Sequence, residues 1–235
     1  IYHAIDSETA NPFQAYQATR YIDTAIPHIP VTAHGLKENG YATIATTNWL
    51  PYSWSVNNIA FAEVMHTALS YFQAGRAEAG YKLLKSSVLD GMYLGDSPGN
   101  FGQISFYDAA RGECYRDFGD PIGVASRVLI QGLFGILPDA LNQQIILRPG
   151  FPDDWDKASV STPDISYRFT RKEDTDTYHI TQRFQTPLHP VLQINARKEK
   201  IRSVKVNGVP ATWQSIESAH GYPLLSIQAE GTSST

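Results

Sequence analysis

Cysteine is nearly absent from this chain: Cys114 is the only one in 235 residues. A single cysteine excludes an internal disulfide framework and any multi-cysteine zinc site. Basic clusters are absent too, and 19 Lys and Arg against 23 Asp and Glu leave a net charge of −4. A duplex-binding protein needs a basic footprint to displace counterions, so nucleic acid is not an expected partner. No apolar run approaches the ~20 residues that span a bilayer, so no membrane span is expected. Residues 1–8 contain neither Met nor a basic segment and do not read as a signal peptide. The expectation is a chain that begins inside a longer protein. Dinucleotide, P-loop and zinc-protease motifs are missing, and the seven His are scattered, so no cofactor or metal is expected.

What remains is ordinary for a folded globular protein, with 42% hydrophobic and 18% charged residues. The character of the chain changes near residue 140. Before that point, Phe61, Val64, Met65, Ala68, Leu69 and Phe72 repeat at helical spacing and predict a helix over 55–74 that is apolar nearly all round. Gly75 stops it, and an amphipathic helix over 76–89 follows. Residues 92–120 lack periodicity and read as a long ordered loop. Asp120-Pro121 predicts the start of a second buried helix, running to Phe134 and ended by Gly135. After residue 140 the period becomes two, with strands expected at 145–148, 165–170, 177–184, 191–195, 201–206 and 224–229. Asn207-Gly208 is a hairpin turn signal. The charged runs around Arg171–Asp176 and Arg197–Lys200 read as solvated hairpin ends.

Several groups bear on chemistry. Gly95-Asp96-Ser97-Pro98-Gly99 matches the nucleophile-elbow pattern, but Pro98 has no N–H to serve as an oxyanion donor, and a serine hydrolase is excluded. Trp49, Tyr52 and Trp54 precede the first buried helix; such rings offer faces to sugar C–H groups, or pack the loop onto the helix. Glu63 and His66 lie one turn apart on that helix, as a core pair or as hydrogen-bond partners for a polar ligand. Arg111, Glu113, Arg116, Asp117 and Asp120 form the densest polar group. A carboxylate there near Arg stays ionised and suits a base or nucleophile, or the group is a salt-bridged loop.

The run Gly132-Leu133-Phe134-Gly135-Ile136-Leu137-Pro138-Asp139, with Ile145-Ile146-Leu147-Arg148-Pro149-Gly150-Phe151-Pro152-Asp153-Asp154-Trp155, resembles a junction found in (α/α)6-barrel glycosidases. It is similar to the passage from the last barrel helix into the C-terminal β-module of α-rhamnosidases and inverting disaccharide phosphorylases. The stretch from Asn48 to Asn58, continuing through Glu63 to Ala74-Gly75-Arg76, looks like uncharacterised glycosyl hydrolases of carbohydrate-degrading gut bacteria. The resemblance implies an α+β multidomain chain: residues 1–140 as the C-terminal part of an (α/α)6 toroid, and residues 141–235 as an antiparallel β-sandwich module.

It further implies inverting hydrolysis of glycosidic bonds in oligo- or polysaccharides, in a periplasmic or extracellular bacterial setting. Asp117, then Glu113, is the expected water-activating base. Trp49, Tyr52, Trp54, Glu63, His66 and Arg116 are expected to face the substrate. A full toroid needs about twelve helices of roughly 10–14 residues, and only about four fit before residue 140. The general acid is therefore expected upstream, with the missing part of the polypeptide or a second copy covering the buried helices. A non-catalytic carbohydrate-binding or assembly fragment, and a phosphate-dependent phosphorylase, are the competing readings.

Overall fold

The computed structural model describes residues 1–32, 34–47, 59–94, 106–108, 113–115, 120–219 and 223–229. The chain forms two compact units, Ile1–Leu133 and Phe134–Thr235.

The first unit opens with α1 (Tyr2–Asp6) and α2 (Pro12–Ala25). Asn11 caps α2: its side chain accepts from the Gln14 N–H at 2.9 Å, and the Asn11 N–H donates back to the Gln14 side chain at 3.0 Å. This reciprocal box, with Pro12 pre-set in the first turn, satisfies two otherwise unpaired donors. Next comes a two-stranded antiparallel ribbon, β1 (His28–Pro30) with β2 (Ala42–Ile44). A short strand, β3 (Ile59–Ala60), runs directly into α3 (Phe61–Gln73). After a tight turn, α4 (Ala77–Val88) continues as a π-helical segment, Leu89–Leu94. Strands β4 (Phe106–Asp108) and β5 (Glu113–Tyr115) join β3 in one antiparallel sheet ordered β3-β4-β5. Finally α5 (Asp120–Arg127) extends into a π-helical segment, Val128–Leu133.

Ten of the thirteen residues of α3 are buried, so it forms the centre of this unit. The turn leaving it is a Schellman motif. Gly75 sits at φ 75°, its N–H donates to the Phe72 carbonyl, and the Arg76 N–H donates to the Tyr71 carbonyl. Close approach around Phe72 depends on two glycines. A Cβ on Gly80 would sit 3.0 Å from the Phe72 ring, and one on Gly132 would sit 2.6 Å from it. Helix α2 is tied to the same turn by Asp23, which accepts from Tyr71 at 2.5 Å and from Arg76 at 2.6 Å. Arg76 also lies over the rings of Tyr71 and Tyr16. Burial pushes the Asp23 carboxyl up, but Arg76 and Tyr71 together hold it below the usual aspartate range.

The second unit is mostly sheet. Strand β6 (Ile136–Asp139) turns through a short 3-10 helix capped by Asp139 into β7 (Gln144–Leu147). Three strands follow, β8 (Lys157–Ser161), β9 (Ile165–Lys172) and β10 (Thr175–Gln182), forming an antiparallel sheet ordered β10-β9-β8. Then come β11 (His189–Asn195), the ribbon β12 (Lys205–Val206) and β13 (Val209–Pro210), then β14 (Gln214–Ile216) and β15 (Leu224–Gln228). The larger sheet is ordered β14-β15-β11-β7-β6, and its β11–β7 pair is parallel. Asn207 and Gly208 adopt φ 51° and 82° in the turn between β12 and β13, as a type I′ hairpin requires.

An aromatic layer fills the core of this unit. Phe151 stacks on Phe169 at 5.0 Å, meets Phe134 edge-on at 5.5 Å, and lies beside Tyr167 and Trp155. Tyr178, cross-strand from Phe169, completes it.

The expected part of an (α/α)6 toroid followed by an antiparallel β-sandwich is overturned. Among the described residues the chain has five α-helices and several sheets, a mixed α/β arrangement with too few helices for a toroid. One physical reason lies in Phe106–Asp108 and Glu113–Tyr115, read from sequence as loop: the first pairs with β3 and the second pairs with the first. Another lies in the expected second buried helix. Ile122 and Leu129 are 46% and 42% exposed, so apolar composition there does not mean burial on most sides. The larger sheet is mixed rather than antiparallel, because β11 returns alongside β7 in the same direction. The charged hairpin of the second unit also departs from expectation. Glu173 and Asp174 are exposed, but Arg171 makes a two-point bond to Asp176, which Arg197 joins at 3.0 Å, and all three side chains are largely covered.

Two stability predictions follow from this packing. Gly135 sits at φ 65°, and a Cβ there would lie 1.9 Å from the Arg148 carbonyl oxygen. Gly135→Ala should therefore cost ~3 kcal/mol or more in denaturant unfolding of the second unit, against ~1–3 kcal/mol for Gly132→Ala in the first, where a ring can shift. Because the carboxyl of Asp23 titrates lower folded than unfolded, its contribution is complete above the ordinary aspartate range and is lost as pH falls through the depressed value. Asp23→Asn should reduce the melting temperature at neutral pH and flatten its acid decline.

Candidate functional site

Helix α3 carries one polar stripe on an otherwise apolar surface. Glu63, His66, Ser70 and Gln73 follow at i, i+3, i+7 and i+10, a single face of a helix. Ser70 is fully covered and bonds back to the His66 carbonyl, whereas Glu63, His66 and Gln73 are only half-buried. The stripe meets α1, which packs against α3, and α5, which packs on it as well.

Asp6 at the end of α1 is the anchor of this meeting. Arg127 donates to both of its oxygens, at 2.6 and 2.8 Å, and Gln73 donates to one of them at 3.0 Å. The third guanidinium nitrogen, Nε, donates to Gln131 at 2.7 Å. Arg127 therefore has every nitrogen engaged. Its bonds hold the Asp6 carboxyl below the usual range against the opposing effect of burial, with Gln73 adding to the depression. A two-point pair of this kind is worth ~1–2 kcal/mol at a partly exposed site.

Fixing Asp6 fixes the start of α1, where Tyr2 and His3 sit over the upper part of the stripe. The Tyr2 ring lies 5.0 Å from His66 and 4.4 Å from His3. Glu63 stands close enough to add to the rise that burial imposes on the Tyr2 phenol. Burial likewise raises the Glu63 carboxyl; its own backbone hydrogen bond opposes this, the Asp120 carboxylate adds to it, and His3 pulls the other way. His66 is pushed down, first by burial and then by Arg127, while Asp6 and Asp120 hold it up. The stripe thus presents a carboxyl that keeps its proton to higher pH than usual, and an imidazole that stays neutral to lower pH than usual.

Of the residues expected at a site, Glu63 and His66 lie together on this stripe. The backbone of Glu113 lies in β5, opposite Asp108 of β4. Trp49, Tyr52, Trp54, Arg116 and Asp117 fall outside the described residues. Sequence reasoning missed Tyr2, His3, Asp6, Gln73 and Arg127. The readable signal was the 63, 66, 70, 73 polar spacing inside an apolar helix; nothing local in sequence marks the partners on α1 and α5.

Among the described residues no group of three or more His, Cys, Asp and Glu is placed to hold a metal ion. Nor is any of their helices long and apolar enough to cross a membrane. Two hollows of about 540 and 600 Å³ share no residue with the stripe. The larger is lined by Lys37, Glu38, Tyr41, Lys82 and Lys85, with Lys85 bonded to Glu38 at 2.9 Å and set over the Tyr41 ring. No protein-family model matches the chain, and no curated protein matches it.

The electrostatic environment of His66 is directly measurable. Its ring should titrate below the ordinary histidine value in a proton NMR titration, and Asp6→Asn should move it lower still by removing a carboxylate that holds it up. Since the folded ring binds its proton less readily than the unfolded one, its stabilising effect is complete above about pH 6.5 and lost as pH falls toward the folded midpoint.

Proposed function

We propose that the first unit is part of a glycosidase that hydrolyses O-glycosidic bonds of oligo- or polysaccharides by an inverting acid/base reaction, with the general acid supplied from outside these residues. In this reading Asp117 or Glu113 activates the water, and Glu63 and His66 face the substrate. The observation that supports it most is the convergence of carboxyl-bearing elements. Strand β5, which carries Glu113, belongs to the same small sheet as β3, which leads straight into the turn of α3 that carries Glu63. Neighbouring strands lie ~4.8 Å apart, so β5 and β3 are about 10 Å apart. Helix α5 adds Asp120, whose charge reaches Glu63.

Inverting hydrolysis needs two carboxyl groups ~6.5–9.5 Å apart, one protonated and one ionised, with a water between the base and the sugar ring. The sequence preceding β3 contributes Trp49, Tyr52 and Trp54, whose rings suit sugar faces, and Arg116 supplies donors for hydroxyls.

The test is a panel of oligosaccharides incubated with the whole protein of which these residues are part, with the first-formed anomer followed by NMR. Turnover with inverted configuration is expected. Asp117→Asn or Glu113→Gln, whichever residue is the base, should lower kcat by about 10²-fold or more. Sugar binding without turnover, unchanged by Asp117→Asn, would point instead to a carbohydrate-binding module. Turnover only with added phosphate would mark a phosphorylase.

A further inference from the structure

Strands β8, β9 and β10 keep the period of two so strictly that each face of their sheet has its own character. Ile165, Tyr167 and Phe169 of β9 are buried on the inner face. Alternation sends the residues between them outward. Across the three strands these outward residues stand in rows: Ser161–Ser166–Thr181, then Ser159–Arg168–His179, then Lys157–Thr170–Thr177. Lys172 and Thr175 pair beyond the last row. Arg183, just past β10, reaches the first row and donates to the Ser166 hydroxyl at 2.7 Å, with the Ser161 hydroxyl 3.1 Å from the same oxygen.

We propose that this outer face binds an acidic polysaccharide, its cations taking the carboxylates or sulfates and its hydroxyls the sugar hydroxyls. The eleven paired positions hold seven Ser and Thr, three cations and His179. None of them is a carboxylate, and none is aliphatic or carries a Phe, Tyr or Trp ring. Arg183 brings the cations to four, in a chain whose net charge is −4. Opposite charges facing each other across strands would stabilise such a sheet. Here the neighbouring carboxylates stand only in the turns, Asp164 before β9 and Glu173 and Asp174 after it. Lys157, Arg168, Lys172 and Arg183 make no ion pair among the described residues, whereas Arg171 and Arg197 are both spent on Asp176. These four cations are dispersed along the sequence, and strand pairing alone gathers them.

The shape and the side chains select the partner. Strand spacing makes the face about 10 Å wide and about 20 Å long. A hollow of about 540 Å³ opens at its hairpin end, lined by Thr170, Lys172, Glu173, Thr175 and Thr177. Single-stranded nucleic acid needs rings on which bases stack, and a lipid surface takes apolar side chains. This face offers neither. It offers hydroxyls that both donate and accept, interleaved with cations that make charge-assisted bonds to anionic oxygens. An acidic sugar chain carries the complement of both. The face lies in the second unit, and its chemistry stands whether or not the first unit is a glycosidase.

The experiment is affinity electrophoresis of the chain in native gels containing polygalacturonate, dextran sulfate or neutral dextran. Retardation by at least one acidic polymer, weakened by added salt, is expected, with none by dextran. Which polymer acts distinguishes carboxylate from sulfate. Arg168→Ser with Lys172→Thr, which keeps the face hydroxyl-bearing, should raise Kd about tenfold or more. Arg202→Ser with Lys205→Thr removes the same charge from exposed positions outside this sheet and should leave Kd nearly unchanged. Equal losses in the two variants would mean attraction to net charge alone and overturn the assignment, as would no retardation by either acidic polymer. Tighter binding to single-stranded DNA or to phosphatidylserine vesicles also overturns it, in favour of a nucleic acid or a membrane. A nitrogen-15 NMR map of the unaltered chain needs no variant. An oligomer of the retarding polymer should shift amides of β8, β9 and β10, and shifts concentrated elsewhere overturn the assignment.

Discussion

The burial of α3 is the constraint on which the first unit depends. Phe61, Val64, Met65, Leu69 and Phe72 are at most 6% exposed, and each large apolar side chain so covered contributes ~1.5–3 kcal/mol. A helix surrounded in this way has no solvent face on which to leave polar groups. Its few polar residues must lie where neighbouring elements can satisfy them. Thr67 and Ser70 solve this locally by bonding back to the carbonyls of Glu63 and His66. Gln73 solves it across elements through Asp6. Glu63 and His66 remain half-covered, and their altered proton affinities are a consequence of the same burial.

Around this helix the ionic contacts work by commitment rather than by number. Asp6 holds Arg127, and Asp23 holds Arg76 and Tyr71; each pair joins helices far apart in sequence. Exposed ion pairs contribute little, but these are partly covered and multiply bonded, so removing one partner leaves the other without its bonds. The second unit uses the same device. Arg171 is fixed by Asp176 and by the Asp153 carbonyl while its guanidinium lies 5.2 Å from the Phe169 ring, so the charged hairpin seals the edge of the aromatic layer.

Particular residues show how much was legible in the chain. The apolar repeat from Phe61 to Phe72 predicted a buried helix, and α3 is one, because a stripe that wide has no alternative to a core. Gly75 and Asn207-Gly208 predicted a stop and a turn, and both adopt the left-handed backbone that glycine and asparagine tolerate. The Asn11–Gln14 box at the start of α2 went unread, although every residue in it is local. Strands β4 and β5 were not legible: three-residue segments among glycines carry no period, and the pairing of β4 with β3 is a long-range event. The exposed Ile122 and Leu129 likewise show that composition does not say which face a neighbour covers.

The sequence by itself determined the local events: where helices start and stop, which face of α3 is polar, and where the hairpin between β12 and β13 turns. These depend on backbone sterics and side-chain spacing within a few residues. Only the tertiary structure decided that Asp6, some 120 residues away, would occupy Arg127. It alone set Tyr2 beside His66 and Glu63, and aligned β11 parallel to β7. Such choices rest on contacts between distant segments, whose energies depend on burial and on which groups compete for a shared charge. No local pattern encodes them.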